Sequence, residues 1–455
     1  MHSRRDFLRT GAAGAGALAF GPAFWSDAFA ATVQSGSGPY GPLGPPDANN
    51  LMLPAGFKSR VVARGGAPVE GTDYTWHIFS DGASTFETKG GGWILVSNSE
   101  APAAPGLPLA GEGGASAIRF ASDGRIEAAY RILGGTRNNC AGGPTPWGTW
   151  LSCEEIDDGQ VWECDPAGKK SARVRPALGV FKHEAACVDP GDSRVYLTED
   201  LGEGGFYRFT PDTPGDLGAG RLEIAKVLGS GRVKWKQVPD PSAKSTPTRE
   251  QVPGTTRFMR GEGIWFDSGI VYIATTTDSR IHAYNTRTGK IRILYDAATL
   301  ESPPLTDVDN LTVSRSGDLF VCEDNGGDDP FDVAIITPKP DRQVARFVKA
   351  VGPEQGNSDT QAASELTGVC FNPRGDRMYF ASQRAFGTGV VYEVSGPFRT
   401  KAPDGRSDSD GGGGGGSRPG NGNGNGNGNS PGGGRPGEGG SRDGRDRRRG
   451  GRPIG

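Results

Sequence analysis

Short apolar runs recur in pairs along the chain, each pair split by a turn. A-A-C-V at 185–188 precedes V-Y-L at 195–197, L-T-V at 311–313 precedes L-F-V-C at 319–322, and V-C-F at 369–371 precedes M-Y-F-A at 378–381. β-branched and aromatic residues fill these runs, and no stretch of useful length carries the 3.6-residue period of an amphipathic helix. The pattern predicts an all-β chain built from hairpins. The turns carry the expected punctuation, in Asp189-Pro190-Gly191-Asp192, Arg287-Thr288-Gly289, Arg315-Ser316-Gly317-Asp318 and Pro373-Arg374-Gly375-Asp376.

The second runs end near Glu100, Glu155, Asp200, Asp278, Asp324 and Arg384. Their spacing clusters around the ~45 residues of a four-stranded propeller blade, with longer gaps where loops are inserted. Six runs predict a six-bladed β-propeller. A β-sandwich would leave unexplained why the acidic residues share a register. Ring closure is expected from the run at 390–394 beside an N-terminal partner at 59–63. The insertion at 210–256, polar and rich in proline, is expected as a loop over one face.

Each first run opens on a metal-liking side chain: Cys140, Glu184, Glu262, Asp309 and Glu365. In an antiparallel hairpin the start of the first strand lies beside the end of the second. Every repeat therefore delivers its polar groups to one edge, and in a propeller these converge on the axis. Clustered carboxylates repel one another unless protonated or offset by cations. Oxygen-rich sites suit calcium, and carboxylates with one thiolate suit ferric iron as well. With only four histidines in the chain, a His-rich zinc centre is not expected. Asp278 and Glu100 are expected as solvated or turn-capping acids. Arg260 stands two residues before Glu262, which on an extended strand puts both on one side. There it suits bidentate phosphate binding or an ion pair that orients a ligand carboxylate. Both readings stay open.

The two ends differ from the middle. Ser3-Arg4-Arg5-Asp6-Phe7-Leu8, an Ala/Gly-rich apolar stretch and Ala28-Phe29-Ala30 have the form of a twin-arginine export signal with its cleavage site, covering 1–30. Residues 401–455 are Gly, Asn, Arg and Asp repeats with almost nothing to bury, so a disordered tail is expected. The β-propeller domain is assigned to 31–400. Fifty basic against 53 acidic residues give no field for nucleic acid, and no later apolar run is long enough to span a bilayer. Of the six cysteines, Cys153, Cys187, Cys322 and Cys370 fit buried core positions; a bridge from Cys164 to Cys187 stays open.

Asn139-Cys140-Ala141-Gly142-Gly143-Pro144-Thr145-Pro146-Trp147-Gly148-Thr149-Trp150-Leu151-Ser152-Cys153-Glu154-Glu155 resembles the signature of the PhoX family of bacterial alkaline phosphatases. Lys182-His183-Glu184-Ala185, Leu197-Thr198-Glu199-Asp200, Arg260-Gly261-Glu262-Gly263, Asp309-Asn310-Leu311 and Cys322-Glu323-Asp324-Asn325 continue the likeness from about Trp76 to Arg384. The resemblance implies a metal centre of iron and calcium in the channel of a six-bladed propeller that hydrolyses phosphate monoesters outside the cytoplasm. It implies Cys140 and Glu262 as iron ligands, Glu155, Glu184, Asp309 and Glu323 as ligands of iron or calcium, and Arg260 as the group that holds the substrate phosphate. The chain is shorter than well-known family members, so trimmed loops at the mouth are expected. Expected partners are small phosphate esters and the twin-arginine export machinery, with no stable membrane insertion and a monomeric state. A calcium-dependent lactonase and a binding propeller stabilised by calcium remain alternatives.

Overall fold

The structure, a computed structural model, describes residues 33–102, 113–324, 331–338, 342–352, 355 and 364–400. The expectations on 1–30 and 401–455 lie outside the described residues. Six sheets follow one another along the chain, each a blade whose first strand is innermost; their strands pair antiparallel, apart from the short Gln34–Ser35, which runs parallel to Gln343–Ala350. The inner strands are Ser80–Glu87, Asn139–Pro144, His183–Val188, Gly261–Asp267, Val308–Val313 and Leu366–Phe371, for blades 1 to 6. Each pairs with a second strand: Trp93–Ser99, Trp150–Glu154, Val195–Glu199, Ile270–Thr275, Leu319–Glu323 and Arg377–Ser382. Successive inner strands pack side by side, and that of blade 6 packs on that of blade 1. The result is a six-bladed β-propeller.

Blade 6 closes the ring. Its outermost strand, Lys58–Arg64, comes from the N-terminal side and pairs antiparallel with Val390–Ser395, with Val394 opposite Ser59 and Val391 opposite Ala63. This is the closure expected from the sequence.

The core is divided into six clusters, each wedged between two neighbouring blades. Leu95 and Trp93 pack toward blade 6 with Tyr379 and Val391, whereas Ile94 and Val96 pack toward blade 2 with Trp150. Alternate side chains of one strand thus enter opposite interfaces, which is why the strands read as continuous apolar runs. All six cysteines are buried and free; Cys164 and Cys187 are not bridged.

One expectation fails. The segment 210–256 is not simply a loop: it completes Phe206–Thr213 and builds the outer strands Asp216–Val227 and Val233–Gln237 of a five-stranded blade 3. Leu222 and Ile224 face blade 2, while Ala225, Val227 and Val233 face blade 4. Lys234 and Lys236 between them stay exposed, so the strand signal was present but masked by lysine and proline. No helix among the described residues is long and apolar enough to cross a membrane.

Candidate metal centre

One backbone connection recurs at the head of every blade. The amide following the second strand donates to the carbonyl preceding the inner strand: Glu100 to Phe79, Glu155 to Asn138, Asp200 to Lys182, Thr276 to Arg260, Asp324 to Asp307 and Gln383 to Glu365, at 2.8–3.3 Å. These bonds fix which residues are equivalent. Two positions beyond the accepting carbonyls lie Asp81, Cys140, Glu184, Glu262, Asp309 and, in blade 6, Thr367.

In blades 1 to 5 that position opens a β-bulge. Gly261 pairs with Thr275 and Ile264 with Ile273, leaving Glu262 and Gly263 opposite one residue, and the same skip follows Ser80, Asn139, His183 and Val308. A bulge breaks the alternation of a strand and re-aims a side chain. Here it brings side chains together in three linked groups, Asp81, Glu100 and Cys140; Cys140, Glu155 and Glu184; and Glu184, Glu262 and Asp309. Within each group the candidate ligand atoms lie within 4.8 Å of one another, and Cys140 and Glu184 join them into a chain. Glu184 is wholly buried, and neither of its carboxylate oxygens has a hydrogen-bond partner. A buried carboxylate left so is costly unless a cation binds it, so the residues present fit a metal centre.

The acids on the second strands separate into two sets. Glu155, Asp200 and Asp324, just past their strands, meet cations. Glu154, Glu199 and Glu323, one residue earlier, meet donors of the blade. Glu154 accepts from the amides of Arg137 and Gln160, and Glu199 from the Gly205 amide, the Tyr207 hydroxyl and Arg249. Glu323 accepts from the amides of Thr306 (2.7 Å) and Asp332 (3.0 Å). The structure therefore does not bring Glu323 into the cluster.

Three cations stand at the mouth, each about one-third exposed. Arg260 reaches Asp200 and Glu262, both at 2.8 Å, and Asp324 at 3.4 Å. Lys182 bridges Glu155 (2.7 Å) and Asp200 (3.3 Å). Arg384 contacts Glu100 at 3.4 Å and Glu365 at 3.5 Å. Arg260 does share a side with Glu262, but by another route than strand alternation: its φ is +55°, a left-handed turn preceding the strand. Glu365 occupies the position equivalent to Arg260 and Lys182, at the rim, and not the bulge position its sequence suggested.

Burial, and then Glu262, raises the Glu184 carboxyl well above its usual range. Burial followed by a neighbouring acid does the same for Glu155, Glu262, Asp309 and Glu365, and burial followed by Asp81 raises the Cys140 thiol. Glu100, expected as a solvated acid, is instead pushed up to about 7 by burial and Asp81. Asp200 behaves differently: burial pushes it up, but Arg260, Glu155 and Lys182 together hold it below its ordinary value. The channel acids cannot all ionise at neutral pH without added positive charge.

Below the cluster the inner strands converge. The residue after the bulge position is small in four blades, Gly82, Ala141, Ala185 and Gly263, and is Asn310 in the fifth; a Cβ on Gly82 would lie 2.4 Å from Ala141 Cα, one on Gly263 2.7 Å from Asn310 Cα. The inner strands approach too closely there for a larger residue. Of the residues singled out from sequence, the structure gathers Cys140, Glu155, Glu184, Glu262 and Asp309, sets Arg260 above them, and puts Glu365 at the rim. Sequence reasoning missed Asp81, Lys182 and the channel position of Glu100. Asp278 is a blade residue, paired with Arg280 at 2.8 Å.

A family model described as alkaline phosphatase PhoX matches residues 82–162, 156–293 and 294–385. No curated protein sequence matches the chain. Among solved structures, PhoX of Pseudomonas fluorescens in complex with vanadate, a transition state analogue, is similar at a TM-score of 0.64 and 17% identity, covering 83% of this chain and 99% of that one. A gluconolactonase from Xanthomonas campestris is similar at a TM-score of 0.45 and 14% identity, covering 79% of this chain and 99% of that one. The calcium-binding protein regucalcin from Agrobacterium tumefaciens is similar at a TM-score of 0.41 and 13% identity, covering 76% and 97%. The first likeness supports the propeller fold; the other two are too loose to carry an argument.

Proposed function

The chain belongs to the PhoX family of alkaline phosphatases and is a phosphatase, and from that premise we propose that its channel holds iron and calcium and hydrolyses phosphate monoesters outside the cytoplasm. The observation that carries the metal reading is Glu184, buried at the junction of two ligand groups with both oxygens unpartnered. Cys140, Glu155, Glu184, Glu262 and Asp309, joined by Asp81 and Glu100, would hold the ions, with Glu365 at the rim. The Cys140 thiolate suits ferric iron, and the groups made of oxygen alone suit calcium. Glu323 is left out of the ligand set because backbone amides take both its oxygens.

Bound metal would supply the positive charge that polarises the phosphoryl oxygens and eases attack of water on phosphorus. The chain's own residues do the rest. Asp200 and Glu262 fix the Arg260 guanidinium, and its Nη1 edge, whose contact with Asp324 is the longest of the three, is left for a phosphate oxygen. Such a donor is strongest on the charge that builds in the transition state. Lys182 and Arg384 add positive charge at the rim and draw in an anionic ester. Residues 1–30 would direct export of the folded, metal-loaded protein.

Exported protein assayed with a chromogenic phosphate ester and with a lactone tests this reading. Phosphate release with iron and calcium both bound is expected, and active protein holding calcium alone would refute the iron assignment. Arg260→Ala should keep its metal and lose about 10²-fold in rate, the scale of one lost transition-state donor, whereas Glu262→Ala should lose metal. If both variants shed metal alike, Arg260 organises ligands and does not clamp phosphate.

A further inference from the structure

Phe386 is the one large hydrophobic residue exposed among the described residues, at 53%. A single exposed phenylalanine needs no explanation. This one also has φ of +55°, a conformation that costs a bulky residue of order 1 kcal/mol or more and points to function where packing does not repay it. Its ring stacks only against the exposed Arg64 guanidinium, 4.8 Å from the ring centre, among the ring contacts found.

Its place on the fold matters more. Phe386 lies in the short 3-10 turn Ala385–Gly387 that directly follows Arg384, the rim cation bonded to Glu100 and Glu365. The same loop is tied to the head of blade 1, where the Phe79 amide donates to Thr388 O at 2.9 Å. Phe79 is a second strained aromatic, with φ of +52°, half-buried, and Arg384 lies over its ring at 5.7 Å. Phe79 O in turn accepts from the Glu100 amide. The Phe79 ring thus lies against the cation, and Phe386 follows the cation in the same loop with its ring against Arg64, so two aromatics in left-handed backbone stand at the blade 1 and blade 6 side of the mouth, while Arg260 belongs to blade 4.

We propose that Phe79, Arg384 and Phe386 form the subsite for the leaving group, and that it selects phosphate monoesters whose alcohol is aromatic. The inference rests on the phosphatase reading and adds the class of substrate. Water's oxygen bonds to phosphorus, the phosphorus–oxygen bond to the aryl group breaks, and water's proton ends on the departing alcohol. A ring in this subsite would stack on Phe386 and lie against the Arg384 guanidinium. It contributes nothing for a small polar alcohol.

The test compares phenyl phosphate with glycerol 2-phosphate on the metal-loaded protein. Phe386→Gly removes the ring and accepts the left-handed backbone, so its melting temperature should not fall. The ratio of kcat/KM for phenyl over glycerol ester should drop about tenfold, the upper scale of one aromatic contact, and Phe386→Trp should preserve the ratio. An unchanged ratio in Phe386→Gly, or a wild type without aryl preference, would overturn the subsite. Calorimetric titration with phenylphosphonate and methylphosphonate separates the two readings. Wild type that hydrolyses neither ester, yet binds phenylphosphonate more tightly and loses that margin in Phe386→Gly, keeps the subsite and refutes the phosphatase reading. Equal binding of the two phosphonates refutes the subsite alone.

Discussion

Three blades end their second strand in two consecutive acids, Glu154-Glu155, Glu199-Asp200 and Glu323-Asp324, and the two members of each pair meet opposite surroundings. The first member turns into its blade, where amide, hydroxyl or guanidinium donors saturate it. The second stands past the strand end and faces Lys182 or Arg260. One residue of register separates an acid that holds a blade together from one that belongs to the channel. Chemical identity does not decide the role of a carboxylate here; the supply of local donors does.

The largest contrast should come from removing one member or the other. Glu155→Gln takes a ligand from the group shared with Cys140 and Glu184, so metal content should fall and the rate drop at least ~10²-fold, no less than the loss seen when metal ligands lose their supports. Glu154→Gln should keep metal and rate per folded molecule while the protein becomes less stable. Metal analysis and kinetics on matched preparations check this, and metal loss in Glu154→Gln would erase the distinction.

A smaller effect is expected in pH dependence, and only in chelated protein. Glu100 is lifted from its model-compound value of 4.5 to about 7, so between these values the folded state binds more protons than the unfolded one. Its contribution is full below about 4.5 and is lost as pH rises through about 7, a change on the order of 3 kcal/mol. The other raised channel acids act in the same direction. Urea unfolding from pH 4.5 to 8 should show stability falling without metal, and the slope should vanish once metal is restored.

The smallest effect sharpens the blade side of the comparison. Glu323→Gln replaces one acceptor oxygen with a donor facing the Thr306 or Asp332 amide, and should cost about 1–2 kcal/mol in urea unfolding. Metal stoichiometry should not change. If it does, Glu323 reaches the channel after all.

The apolar runs made the propeller legible, down to the closing strand and its partner segment, because strands buried on both faces leave long hydrophobic stretches. The channel was legible only in part. Asp81 escaped notice because its strand, S-D-G-A-S-T-F-E, carries hardly any apolar residues and opens on no recognisable repeat. Glu323 was taken over Asp324 because adjacent acids can be told apart only by the pairing of Val308 with Glu323, which sequence does not display. Glu365 resembles the bulge acids because it too opens an apolar run, but two additional residues separate it from its turn. Arg260 was placed on the right side for the wrong reason, since a left-handed φ cannot be read from an arginine.

Ring closure also sets the order of events during assembly. Arg60 on the last-paired strand bonds Glu393 across 333 positions of chain, and contacts so distant in sequence form late because the loop between them must first be closed. Until that seam is sewn, Thr367 and Gln383 have no fixed place from which to donate to Asp81, and the Asp81 end of the ligand chain is unformed. Capture of the full set of ions is therefore a checkpoint on completed folding: a nascent or truncated chain lacking blade 6 presents only part of the cradle.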